Sequence, residues 1–257
     1  MKKFKIYGLL ILGVLSFYLT DKIMIYLENQ NPLMQEIKAK SYYYETIAVN
    51  ALINDNTIIP GLNGRKVNLR KSYQKMGDFG SFNDTFLIFE AIIPTVSLTN
   101  HHDKIIVNAN SLKRAVSFVL EPYNKSQEYL ESREIPYTLI ANLHTKLILN
   151  RDYINGESIT SKASDLHALL NKNKLNQHLC LVGYSNLEFC QQKKYYIVAP
   201  SLDTNLNTTM LLSKIKSGDI ILIRANTSVD KLSLMIKEIY RQDLTILPLS
   251  SLISENN

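Results

Sequence analysis

From residue 115 onward, short apolar runs alternate with amphipathic stretches, and that alternation limits what the chain can fold into. The runs 115–120, 137–141, 179–183, 195–199, 219–225 and 245–249 read as strands, and 152–159 supplies a further one. Helical stretches fall between them at 126–133, 163–171, 185–192, 208–216 and 229–241. In the last of these, Leu232, Met235, Ile236 and Ile239 recur at helical spacing, while Lys231, Lys237 and Arg241 take other parts of the surface. Strand and helix in succession build a parallel sheet from βαβ units, as an incomplete (β/α) barrel or as an open doubly wound sheet. Periodicity leaves both open.

The start of the chain obeys different rules. Lys2, Lys3 and Lys5 precede an uninterrupted apolar run of 14 residues, 6–19, closed by Asp21 and Lys22. Positive charge ahead of an apolar stretch marks an export signal or a signal-anchor. The run is shorter than the roughly 20 residues that span a bilayer, and 23–27 would extend it. Phe17, Tyr18 and Leu19 are too bulky for a cleavage site. We therefore expect an uncleaved single-pass membrane segment over 1–28, with the rest of the chain on the extracytoplasmic side of the cell membrane.

Residues 29–110 form an expected small α+β leader region. Its first part, 29–53, is helical and carries Tyr42, Tyr43 and Tyr44, expected to pack against the following domain. Turn residues Pro60, Gly61, Asn63 and Gly64 between β-branched runs give a hairpin signature over 56–67. A short helix at 67–76 and strands at 86–93 and 104–107 follow.

The order and wording of the elements from about Ala115 to Ser254 resemble the polysaccharide deacetylase family, which includes chitooligosaccharide and peptidoglycan deacetylases. Lys216-Ser217-Gly218-Asp219-Ile220-Ile221-Leu222-Ile223 looks like the family's basic-x-Gly-Asp-Ile-Ile-Leu strand. Leu232 to Ser250 looks like its last helix and closing strand, and Ala115-Val116-Ser117-Phe118 like its opening strand. The stretch from Asn56 to Lys75 resembles, more loosely, a leader segment of clostridial and related members. The resemblance implies an incomplete (β/α) barrel over 111–257.

It also implies a chemistry, metal-dependent removal of N-acetyl groups. The family holds a divalent metal such as zinc with one aspartate and two histidines, uses a second aspartate as base, and a late histidine as acid. Here the two aspartates are replaced by Val119 and Leu120, followed by Glu121. No histidine pair follows Asn155-Gly156-Glu157-Ser158-Ile159, where His167 stands alone. The arginine of the family's Arg-Pro motif is missing at Ala199-Pro200-Ser201. The leaving-group histidine is replaced by Arg224, which stays protonated and cannot cycle.

The expectation is therefore a deacetylase-like pseudoenzyme with no catalytic residue, no metal site and no cofactor. It would act as a carbohydrate- or protein-binding scaffold at the cell envelope. Two alternatives stay open: an active deacetylase with an unrecognised site, and a structural or assembly factor of the envelope. Glu121 and Arg224 are the candidate ligand-binding residues. Against that, Glu121 reads more simply as a solvated glutamate at a strand end, and Arg224 as half of a salt bridge. His101-His102, His144, His167 and His178 lack ligand spacing. The expected partners are the membrane and a cell-wall glycan or envelope protein. The charge of +6 is mild for 257 residues, and with no basic stripe or binding motif, nucleic acid is not among them. Cys180 and Cys190 could form a disulfide outside the membrane or remain as two buried thiols.

Overall fold

A computed structural model describes the chain apart from Met1, Tyr123, Asn124, Asn150 and Asn257; for residues 2–14 it describes the backbone course only. In chain order the strands are β1 (Leu52–Asn54), β2 (Thr57–Ile59), β3 (Gly64–Val67), β4 (Phe89–Ile92), β5 (Ile105–Ile106), β6 (Ala115–Leu120), β7 (Thr138–Ala141), β8 (Asp152–Asn155), β9 (Asn176–Leu181), β10 (Tyr196–Val198), β11 (Leu202–Asp203), β12 (Ile220–Ile223) and β13 (Thr245–Ile246). The helices are α1 (Lys2–Gln30), α2 (Pro32–Ser41), α3 (Leu69–Met76), α4 (Ser126–Glu131), α5 (Thr160–Lys172), α6 (Leu187–Gln192), α7 (Thr208–Lys214), α8 (Val229–Arg241) and α9 (Leu249–Ile253).

The chain divides into two compact units, one of residues 1–47 and 64–92, the other of 48–63 and 93–257. The first holds α1, α2, α3 and the antiparallel pair β3–β4. Its core gathers Leu33, Ile37, Val67, Met76 and Leu87. Asn31 and Asn68 cap α2 and α3, each accepting a backbone N–H from the first turn. Among the described residues no helix is long and apolar enough to cross a membrane; the side chains of most of the expected apolar run, residues 6–14, lie outside the described residues.

In the second unit an eleven-stranded sheet runs in the order β1-β2-β5-β10-β9-β8-β7-β6-β12-β11, with β13 added on β6. Every pair is parallel except β1–β2. β6 is buried along its whole length, the mark of a strand covered on both faces. Its side chains alternate. Val116, Phe118 and Leu120 enter a core shared with Leu130 of α4, Leu166 of α5, Leu211 of α7 and Leu232 of α8. Ala115 and Val119 face a second core with Ile140, Ile154, Leu181 and Leu222, joined by Leu249, Leu252 and Ile253 of α9. Helices cover one face while the other curls around its own apolar filling. The fold is thus mixed α/β with a half-barrel sheet, and the doubly wound alternative falls away.

Three expectations need correction. The hairpin at 56–67 does not form: the turn is there, but β2 pairs with β1 and β5 while β3 pairs with β4. Turn residues report a bend, not which strands meet across it. Segments read as leader, 52–59 and 105–106, belong to the main sheet, where β5 and β2 extend the free edge of β10. Tyr42 and Tyr43 are each 80% exposed rather than packed, and Tyr44 meets Phe82 within the first unit.

Gly218 and Asp219 lead into β12. Gly218 sits at φ +91°, and a Cβ there would lie 2.4 Å from the carbonyl oxygen of Ala109. Its N–H donates to Ala115 O at 2.7 Å and its carbonyl accepts from Ala109 N at 2.8 Å, so the backbone cannot back away. Gly218→Ala should cost about 1–3 kcal/mol, read as a lower urea midpoint with an unchanged slope. Buried Asp219 then ties three segments together, accepting from Lys216 N at 2.8 Å, Ser201 Oγ at 2.9 Å and Asn108 Nδ2 at 2.9 Å. Burial pushes its carboxyl above the ordinary value despite these donors.

Candidate functional site

Parallel barrels display side chains for chemistry at the carboxyl ends of their strands. Four polar residues converge there: Glu121 just past β6, Tyr184 after β9, Asp203 ending β11 and Arg224 just past β12. Position 121 continues the inward series of 115, 117 and 119 along β6, and its N–H donates to Ile223 O at 3.1 Å, fixing it beside β12.

Arg224 is the hub. Its Nε donates to both Asp203 oxygens, at 3.1 and 2.9 Å, and its Nη2 to Asp203 Oδ2 at 2.5 Å. Nη1 reaches Glu121 Oε1 at 3.0 Å and Tyr184 Oη at 2.6 Å. Tyr184 in turn donates its hydroxyl to Glu121 Oε1. The second Glu121 oxygen accepts from Ala225 N at 2.7 Å, and Asp203 Oδ1 from Asn205 N at 2.8 Å. Arg224 N donates to Thr204 Oγ1 at 2.9 Å. Beside the group, Lys231 Nζ donates to Thr204 O at 2.6 Å and Leu206 O at 2.5 Å.

Less than a third of each ionic side chain is exposed: 31% for Arg224, 18% for Glu121 and 29% for Asp203. Partial burial works to raise the Glu121 carboxyl, but hydrogen bonds from Tyr184, Ala225 and Arg224 outweigh it and hold it below the usual value. Asp203 is held low in the same way, burial being outweighed by Arg224 and Asn205. Hydrogen bonding to Asp203 raises the guanidinium further. Burial and then the Glu121 carboxylate push the Tyr184 phenol up. Two carboxylates, one guanidinium and the Lys231 ammonium nearly cancel. The arrangement is a matched ionic lock, with every carboxylate oxygen engaged.

The structure thus brings Glu121 and Arg224 together and corrects the picture of Glu121 as merely solvated. Tyr184 and Asp203 were not among the sequence candidates; their signal was a polar residue at the end of a parallel strand. Of the two residues that the resemblance sets against the family's aspartates, Val119 is buried in the half-barrel interior and Leu120 points to the helix side. In the segment that the resemblance sets against the histidine pair, polar side chains bond to the backbone. Asn155 Nδ2 donates to Ala163 O at 2.9 Å, and Glu157 Oε1 accepts from Leu143 N at 2.9 Å.

The histidines are scattered. His101 Nδ1 meets Ser97 O at 2.9 Å, His102 stacks on Tyr196 with centroids 4.7 Å apart, and His144 is exposed. His167 and His178 both lie against Tyr195. Among the described residues no three His, Cys, Asp or Glu side chains gather as a metal site. Cys180 and Cys190 are joined in a disulfide with Cα atoms 6.3 Å apart, buried with Phe189 and Tyr195.

No family model matches the sequence. An uncharacterized protein of Bacillus subtilis (strain 168), YlxY, is 35% identical over 104 residues, which cover 40% of this chain and 32% of that protein. The matched stretch thus spans about a third of that relative. Among solved structures, wild-type BA3943, a CE4 family pseudoenzyme from Bacillus anthracis, superposes with a TM-score of 0.61 at 18% identity, over 89% of this chain and 97% of that one. A mutant of the same pseudoenzyme with restored enzymatic activity gives 0.61 at 18% identity, over 88% and 99%. The chain thus shares the fold of a CE4 family pseudoenzyme.

Proposed function

We propose that this protein is a membrane-anchored, extracytoplasmic scaffold that has kept a deacetylase-type fold without deacetylase activity. The observation that carries the proposal is the strand-end lock. An arginine bound to two carboxylates stands at the strand ends, at the position that the resemblance gives to the family's acid, and aliphatic Val119 stands where it gives a carboxylate. Hydrocarbon and guanidinium groups hold no divalent cation. The likeness in fold to a CE4 family pseudoenzyme supports this reading, although fold alone does not specify function.

The location outside the membrane is supported by the lysines ahead of the apolar run and by the Cys180–Cys190 disulfide, a bond that persists in oxidising surroundings. The scaffold would hold a cell-wall glycan or an envelope protein. A role in envelope assembly is favoured by one observation, the exposed pair Tyr42–Tyr43 of the first unit; pull-down from membranes with Y42S/Y43S against the parent chain tests it.

The decisive experiment pairs a zinc titration with an assay of acetate release from an acetylated chitooligosaccharide. Neither stoichiometric metal nor turnover is expected. Stoichiometric metal with turnover would overturn the proposal and establish an active deacetylase with an unrecognised site.

A further inference from the structure

The second half of α1 has two faces. Asp21, Ile25 and Glu28 recur at i, i+4 and i+7 and share one side. Arg70 of α3 grips that side at two points, with Nη2 3.3 Å from Asp21 and Nε 3.1 Å from Glu28. Leu19, Ile23, Tyr26 and Leu27 follow the same spacing on the opposite side, and each is more than half exposed. Lys22 lies at the edge of the stripe, its ammonium 5.3 Å from the ring centre of Tyr18. Phe17, one turn before Asp21, and Tyr18 and Met24 on the flanks are exposed as well, so only the clamp at Asp21 and Glu28 interrupts an open apolar surface that calls for something to cover it.

We infer that this stripe lies in the headgroup layer of the bilayer, with α1 tilted so that Ile23, Tyr26 and Leu27 face lipid while the Arg70 clamp faces water. The inference rests on the anchor reading above. The stripe continues the apolar run 6–19 on the same helix, and Leu27 is only about 12 Å beyond Leu19 at 1.5 Å per residue. The polar layer on each side of a bilayer is about 5–8 Å thick; Ile23 and Leu27, about 6 Å apart along the axis, fit within it, while Leu19 reaches into the hydrocarbon. Tyrosine and lysine are the residue types that settle at this level. The clamp sets the depth. Sliding further in would carry Asp21, Lys22 and Arg70 into hydrocarbon together.

The chain contains no tryptophan, so one introduced residue reports alone. The test places L27W in the full-length protein in phosphatidylcholine–phosphatidylglycerol vesicles, with and without bromine on the upper acyl carbons. The expected results are blue-shifted emission, loss of most of the signal in brominated vesicles, and a shift toward the red in L27W/I23N. Emission at the aqueous wavelength from vesicle-bound protein overturns the inference and leaves the anchor standing. Blue-shifted emission indifferent to bromine also overturns it, because protein rather than lipid would then cover the stripe. Protein isolated from cells without its first 28 residues would overturn the anchor reading itself.

Discussion

Arg224→Met is expected to destabilise the protein by about 3 kcal/mol at pH 7, the lower end of what breaking a buried ion pair costs, because the two carboxylates it leaves behind are only partly buried. The substitution keeps much of the stem and removes the charge, leaving Glu121 and Asp203 together without the guanidinium that bonds both. In a domain of this size that is a fall in Tm of about 6–12 °C. The pH dependence separates loss of charge from loss of packing. Both carboxyl groups lie below their ordinary values in the folded protein. Their contribution is therefore present above the unfolded-state values, near pH 4, and fades as pH falls through the lowered folded ones. In the variant the carboxyls rise and take up protons more readily, so the gap between variant and parent should narrow in acid. Adding E121Q and D203N to the variant should recover part of the loss at pH 7. A gap as wide at pH 3.5 as at pH 7, measured by urea denaturation, would mean that packing of the arginine stem and not its charge holds the strand ends together.

Removing the disulfide as C180A/C190A should cost a comparable amount. Closing a loop across a separation of 10 residues restricts the unfolded chain by about 3 kcal/mol in the loop-entropy account. The bond ties the end of β9 to α6, so the loss should appear first as faster hydrogen exchange over residues 180–195. A second readout addresses location. Protein taken from cells under denaturing conditions without reductant should show no reactive thiol, and two after reduction. Two reactive thiols at the outset would place the domain in a reducing compartment and remove one support of the envelope reading.

Much of the second unit was legible because its strands are buried on both faces and its helices are amphipathic. Val229–Arg241 shows this best, with buried Leu232, Met235, Ile236 and Ile239 at the spacing that a one-sided helix requires. β11 was not legible; two residues following Pro200 leave no periodicity to detect. Pairing was hidden where it is non-local, so the turn at 60–64 suggested a hairpin although its two arms pair in different sheets. The site was half visible for the same reason. Glu121 and Arg224 drew notice by replacing or adjoining motif positions, but their partners stand 63 and 21 residues away, at Tyr184 and Asp203. Alternation along β6 also separates Val119 from Leu120, which a plain alignment treats as one pair.

The joining of β5 and β2 to the edge of β10 bears on how this protein can be divided. Residues 111–257, which carry the family resemblance, are not a complete structural piece. Cut there, Tyr196–Val198 would become a bare edge with unpaired amides and carbonyls, open to pairing with other chains. Gly218 and Glu255 would lose their anchorage at Ala109 and Gly61. What resembles an optional preface in the sequence is the selvedge that keeps the sheet from unravelling.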